Sequence, residues 1–252
     1  GSRGLGDVYK RQGCVPLKED GNLKSVRIFG RAYKGKGLYE VLESYVRKGF
    51  YAMDPKEKER GKDIMWYIWL SENSPLFGKD KMATFERYFL AEKETHKEKK
   101  NPYYLLLEDE KVVEKILKEF GLENEDAHII NGHVPVKCKD GENPVKCGGK
   151  VLVIDGGFSK AYQKETGIAG YTLIYNSYGL ILAAHKPFES TEAAIEKESD
   201  IHSDSTVVKR TLERKKVEDT DVGKELKEQI SDLEVLLAAY RSGVLSLIHI
   251  SE

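Results

Sequence analysis

Residues 128–162 read HIINGHVPVKCKDGENPVKCGGKVLVIDGGFSKAY, and this stretch decides the fold. Ala127 to Ile130 form a short apolar run that reads as a buried strand. It stops at Asn131-Gly132, where glycine lets the backbone turn and sets His133 at the strand's end. Lys150 to Ile154 form a second, β-branched strand that ends on Asp155-Gly156-Gly157. Two strands that each deliver polar groups into a loop point to a sheet with those loops on one edge. An amphipathic helix, Glu108 to Phe120, precedes the first strand through Val112, Val113, Ile116, Leu117 and Phe120. Gly121 caps its end. Helix followed by strand is an α/β order, with helices flanking a sheet.

A glycine-histidine pair at a strand end is how metallophosphatases supply an imidazole to a two-metal centre. The likeness is closer than that superfamily. Ile129 to Lys137, Gly141 to Lys146, Val153 to Tyr162 and Gly167 to Leu180 together resemble the C-terminal part of class 3 fructose-1,6-bisphosphatase, a bacterial family built on the calcineurin-like metallophosphatase fold. The match runs from Gly13 to about Val244 and covers about the last third of such a protein. The resemblance implies the C-terminal part of a metallophosphatase β-sandwich flanked by helices. In that frame residues 38–120 are a mainly helical insertion, 127–185 the sheet and 221–240 a C-terminal helix. It also implies removal of the 1-phosphate from fructose 1,6-bisphosphate in gluconeogenesis, in the cytoplasm, with manganese or a similar divalent ion in a two-ion site.

Hydrolysing a phosphate monoester with two divalent ions about 3.5–4 Å apart requires several carboxylates together with imidazole and amide ligands. In metallophosphatases these come from an Asp-x-His strand end, a Gly-Asp-x-x-Asp element and a Gly-Asn-His-Glu element, followed by two later histidines. This chain carries only the last histidine, His133, as the metal ligand that the resemblance implies. Asp126-Ala127-His128 and Asp200-Ile201-His202 fit Asp-x-His as strings, but neither is followed by the other two elements. His128 is a candidate to orient His133 from behind, and Asp155 to shape the adjoining loop. Ser159 and Lys160 stand at that loop as candidate substrate contacts. Lys79, Lys81 and Arg87, on or just beyond the loop Ser71 to Met82, could offset the phosphoryl charges of a sugar bisphosphate. The general acid or base is not legible. One imidazole cannot hold two ions, so the expectation is that the chain by itself is inactive.

Both ends look foreign. Ser2 to Gln12 (SRGLGDVYKRQ) and Leu245 to Glu252 (LSLIHISE) resemble the two strands of a sequencing adapter carried through translation. Residues 1–12 and 245–252 are therefore set aside, leaving 13–244. The family places a histidine, resembling a metal ligand, before Gly13-Cys14; here that position is Gln12.

Elsewhere the chain reads as ordinary core and surface. Ser25 to Phe29 is a short strand. Leu38 to Tyr51 repeats apolar residues at helical spacing, and Asp54-Pro55 starts a further helix with an aspartate cap and a first-turn proline. Trp66 and Trp69 on that helix are expected to pack in the core. Glu92 to Lys100 is a solvated charged run, ended by Asn101-Pro102. Tyr171 to Tyr175 and Tyr178 to His185 form a hairpin around Asn176-Ser177, with His185 a surface or capped histidine. Thr191 to Glu196 is a short helix. Asp221 to Tyr240 is an amphipathic helix expected to cover an apolar surface.

Composition bounds the function. Across 252 residues, 41 Lys+Arg against 42 Asp+Glu leave a net charge of −1, which gives no field for nucleic acid or a membrane surface. No apolar run is long enough to span a bilayer. Three cysteines, Cys14, Cys138 and Cys147, cannot all pair, which favours a reducing compartment; the latter two could meet across a hairpin. The partner is then a small sugar bisphosphate, with the oligomeric state left open. Two other classes remain: another metallophosphatase acting on proteins or dinucleotides, and a non-enzymatic interaction module built on the 54–100 region and the 221–240 helix.

Overall fold

The computed structural model describes residues 8–123, 127–132, 134–156, 160–187, 191–196, 203–210, 214 and 216–244. In chain order the elements are β1 (Val8–Gln12), β2 (Val26–Ile28), β3 (Arg31–Tyr33), α1 (Gly35–Tyr51), α2 (Pro55–Leu70), α3 (Thr84–Phe89), α4 (Tyr103–Leu106) and α5 (Glu110–Glu119). Then come β4 (His128–Gly132), β5 (Val145–Lys146), β6 (Val151–Val153), α6 (Lys160–Thr166), β7 (Gly170–Asn176), β8 (Gly179–His185), α7 (Thr191–Glu196), β9 (Ser203–Arg210) and α8 (Asp221–Arg241). The class is mixed α/β.

The central sheet has the order β1-β4-β6-β5. β4 and β6 run parallel, with Ile129 opposite Val151 and Asn131 opposite Val153, so the loops after both strands leave from one edge. β1 pairs parallel with β4, Val8 opposite His128 and Gln12 opposite Gly132. The last five residues of the N-terminal stretch set aside as foreign thus supply the backbone of an edge strand. Alternation sorts the central strands onto two faces. Ile129, Val151 and Val153 pack with Val113, Ile116 and Leu117 of α5. Ile130 and Leu152 pack with Leu180, Leu173 and Val208 of a three-stranded antiparallel sheet, β7-β8-β9. The two sheets meet closely at Gly156, where an added Cβ would collide with the backbone of Gly170.

The helices follow their sequence signals. The Asp54 carboxylate accepts from Lys56 N at 3.2 Å and caps α2, with proline in its first turn. Asp109 caps α5 through Lys111 N at 2.9 Å. Gly121 takes φ +77° just beyond α5, the left-handed conformation that glycine reaches without strain. A second core joins α1, α2 and the β2-β3 hairpin through Val26, Ile28, Leu38, Leu42 and Ile64.

Two expectations are corrected here. Trp66 and Trp69 are 63% and 59% exposed, stacked edge to face at 5.2 Å. The buried stripe of α2 runs through Gly61 and Ile64 with Ile68 beside it, and positions 66 and 69 fall outside that stripe. The other is α8, whose Leu226, Ile230, Leu233, Leu237 and Tyr240 are all between 42% and 63% exposed. That helix packs chiefly on the turn Val217–Asp219 and covers no apolar surface among the described residues.

Lys146 ties the central sheet to the start of α5. Its side chain is 7% exposed, and its Nζ lies 3.1 Å from both Glu108 and Glu142. Partial burial works against the Glu142 carboxylate, yet the Lys137 N–H and Lys146 together hold its pKa below the usual range. Lys146→Met is expected to raise the Glu142 pKa, read by NMR titration, and to cost about 1 kcal/mol of stability, because Glu108 is solvated and only the partly buried Glu142 loses a hydrogen-bonded cation, keeping the more distant charge of Lys100. An unchanged Glu142 titration would contradict this.

Candidate functional site

The parallel pairing of β4 and β6 brings the loops after Gly132 and after Val153 side by side. Ile154 N donates to Asn131 O at 2.9 Å, and Val136 N donates to Asp155 O at 2.8 Å. The loop that carries position 133 is thereby bracketed by the Ile154-Asp155 segment. His133 itself lies outside the described residues, as does Ser159; Lys160 opens α6. Asp155 stands beside the strand end, half-buried, as its place in the sequence suggests.

Asn131 fixes the strand end. It is 1% exposed, and its Oδ1 accepts from the hydroxyl of Tyr103 at 3.0 Å, while its Nδ2 donates to Gly132 O at 3.2 Å. Tyr103 is fully buried, and its own N–H donates to Asn101 Oδ1 at 3.0 Å. The same Asn101 oxygen accepts from Leu17 N at 3.2 Å. A chain of hydrogen bonds therefore runs from residue 17 through Asn101, Tyr103 and Asn131 to Gly132. Buried polar groups tied in this way hold one conformation, because breaking any link strands its partner away from water. Nothing in the sequence spacing announces this chain, since directly bonded members lie up to 84 residues apart.

His128 is buried at 6% exposure, and its Nδ1 lies 2.8 Å from Gly149 O. That contact ties β4 to the turn before β6. Lys79 and Arg87 converge on one carboxylate: Lys79 Nζ lies 2.6 Å and Arg87 Nη2 3.5 Å from Glu98. The Lys79 hydrogen bond holds the Glu98 carboxyl below its usual range. Lys81 Nζ donates to Thr95 O at 2.8 Å. All three cations thus fasten the 79–98 region to itself. His185 sits between two hydroxyls, its Nε2 2.7 Å from Thr172 Oγ1 and its Nδ1 2.8 Å from Ser203 Oγ, a clasp across β7, β8 and β9.

A two-ion centre asks for several converging donors, and among the described residues no three His, Cys, Asp or Glu side chains converge. The described side chains therefore do not by themselves fit the ions that the resemblance implies. The three cysteines are free thiols. Cys138 Sγ lies 2.6 Å from the Tyr171 hydroxyl and Cys147 Sγ donates to Leu107 O at 3.2 Å. No helix among the described residues is long and apolar enough to cross a membrane.

Residues 9–242 match the family described as Firmicute fructose-1,6-bisphosphatase. The chain is 58% identical over 234 residues to the fructose-1,6-bisphosphatase class 3 of Clostridioides difficile, a match covering 92% of this chain and 35% of the relative. It is 57% identical over 234 residues to the protein of that name from Clostridium botulinum, and 56% identical over 233 residues to fructose-1,6-bisphosphatase class 3 1 of Clostridium beijerinckii, with the same two coverages. The chain thus spans about a third of the length of these relatives. No solved structure matches it.

Proposed function

The chain belongs to the Firmicute fructose-1,6-bisphosphatase family, and on that premise we propose that it is the C-terminal part of a metal-dependent phosphatase that converts fructose 1,6-bisphosphate to fructose 6-phosphate and phosphate. The observation that carries this reading is the family match across residues 9–242. In the whole enzyme His133 would offer one imidazole to a manganese-like ion that polarises the scissile phosphate. The remaining ligands would come from the part of the family's sequence that this chain lacks. The residues present here supply rigidity. Tyr103 holds Asn131, Asn131 holds Gly132, and the Ile154-Asp155 segment brackets the loop beyond. The two packed sheets are read as the surviving part of the metallophosphatase sandwich, with residues 38–120 as its helical insertion. Free thiols agree with a cytoplasmic enzyme.

The test has two arms. Joined to the missing part of the C. difficile relative, the chain is expected to release phosphate from fructose 1,6-bisphosphate, and to lose that turnover with His133→Ala. Alone, it is expected to release none. A joined protein that hydrolyses protein or dinucleotide phosphates in preference to the sugar would overturn the substrate assignment, and turnover by the chain alone would overturn the account of its ligands.

A further inference from the structure

The site above holds the end of β4 in place but assigns nothing to the phosphates of a substrate. A cleft of about 330 Å3 lies beside Asn101, at the outer end of the hydrogen-bond chain that reaches Gly132. One wall is the turn between Leu17 and Leu23, closed by Lys24 N donating to Pro16 O at 2.9 Å. The other wall is the pairing of Lys79 with Lys100, where Asp80 N donates to Lys99 O at 2.9 Å.

Five lysines line this cleft: Lys18, Lys24, Lys79, Lys99 and Lys100. Glu19, Glu72 and Asp80 are the carboxylates on its surface. Lys79 is neutralised by Glu98, and Lys99 by Glu19 at 3.0 Å. Lys18, Lys24 and Lys100 form no ion pair among the described residues, and Lys100 rests 5.9 Å above the Tyr104 ring. Glu72 and Asp80 form no ion pair among the described residues either, so with Glu98 counted five lysines face four carboxylates; the cleft keeps a surplus of one positive charge, and an anion placed among its lysines relieves their mutual repulsion.

Asn101 is the second observation. It is nine-tenths buried at the cleft, and its Oδ1 is committed to Leu17 N and Tyr103 N. The carboxamide Nδ2 makes no hydrogen bond among the described residues, which leaves an unengaged neutral donor on a residue of the cleft lining. A donor and a surplus of positive charge are what a phosphate ester asks for. The volume suits one phosphorylated sugar.

We propose that this cleft anchors a phosphate of a sugar bisphosphate, with Lys18, Lys24 and Lys100 supplying charge and Asn101 a directed hydrogen bond. The assignment rests on the phosphatase reading for the sugar. It departs from the cations singled out by sequence, since Lys81 and Arg87 lie elsewhere and Lys79 is spent on Glu98.

The test is calorimetric titration of the chain with fructose 1,6-bisphosphate, fructose and inorganic phosphate. Saturable binding of the bisphosphate is expected, with none of fructose. Lys24→Gln and Lys100→Gln are each expected to weaken it about tenfold with melting temperature unchanged, while Lys62→Gln, on exposed α2 surface, leaves it as it was. Absence of binding at about ten times a millimolar dissociation constant, or binding indifferent to both substitutions, would overturn the proposal. Equal affinity for inorganic phosphate and the bisphosphate would mark an anion site only and overturn the sugar assignment. Binding requires no turnover, so an inactive joined enzyme with an intact cleft, or an active one with an empty cleft, separates the two readings.

Discussion

Gly61→Val is expected to pull α1 away from α2 and to lower the stability of that helical pair by about 3 kcal/mol. The two helices cross with Gly49 and Gly61 face to face. A Cβ at residue 61 would press on the N and Cα of Gly49 and on the carbonyl oxygen of Tyr45. All three are backbone atoms, so no rotamer change makes room; the helices must separate, exposing Leu38, Leu42 and Ile64. Gly49→Ala is the informative comparison. Its added carbon meets first the Cε of Met65 at 2.8 Å, a flexible side-chain end, and then Gly61 C at 3.1 Å. It should cost about 1 kcal/mol, since methionine can swing aside. Urea melts followed by tryptophan fluorescence report this directly, because both tryptophans of the protein sit on α2. A Gly61→Val midpoint equal to that of the parent would refute the close crossing.

Tyr103→Phe is expected to cost about 2 kcal/mol, because it strands the Asn131 oxygen in a site 1% exposed. Asn131→Ala leaves the Tyr103 hydroxyl without that acceptor and should cost a similar amount. The double substitution should cost clearly less than the two together, since the second change removes a group that the first had already orphaned. The same loss should reach the strand end: faster amide exchange at Gly132 is expected in Tyr103→Phe, and in the joined enzyme a fall in turnover larger than the loss of stability explains. Additive costs with unchanged exchange at Gly132 would mean that the tyrosine merely fills space.

Local periodicity carried the fold a long way. α1, α2, α5, the strands β4 and β6, and the β7-β8 hairpin were legible because each carries apolar residues at helical spacing, as a continuous run or in alternation; α8 was legible by the same spacing although its stripe stays exposed, and the parallel pairing of β4 with β6 came only from the structure. β9 was not, since SDSTVVKR has little apolar patterning; it becomes a strand by pairing with β8 from Ser203 to Arg210. α3 and α4, of six and four residues, are too short for a helical repeat to register. The hairpin turn sits at Ser177-Tyr178, one residue later than expected, because Asn176 pairs with Gly179. At the site, the motif reading found the strand end and the neighbouring Asp155. It missed Asn101 and Tyr103, which reach Asn131 only through the folded chain, and it saw the cations near residue 80 without the Glu98 that engages two of them.

The last helix has a practical bearing. A rod roughly 30 Å long, at 1.5 Å per residue, shows water a greasy side of leucines and an isoleucine. In a concentrated stock such a side invites dye uptake and clumping, so the chain should brighten anilinonaphthalene sulfonate while fully folded. Shortening it at Thr220 should give the better-behaved sample.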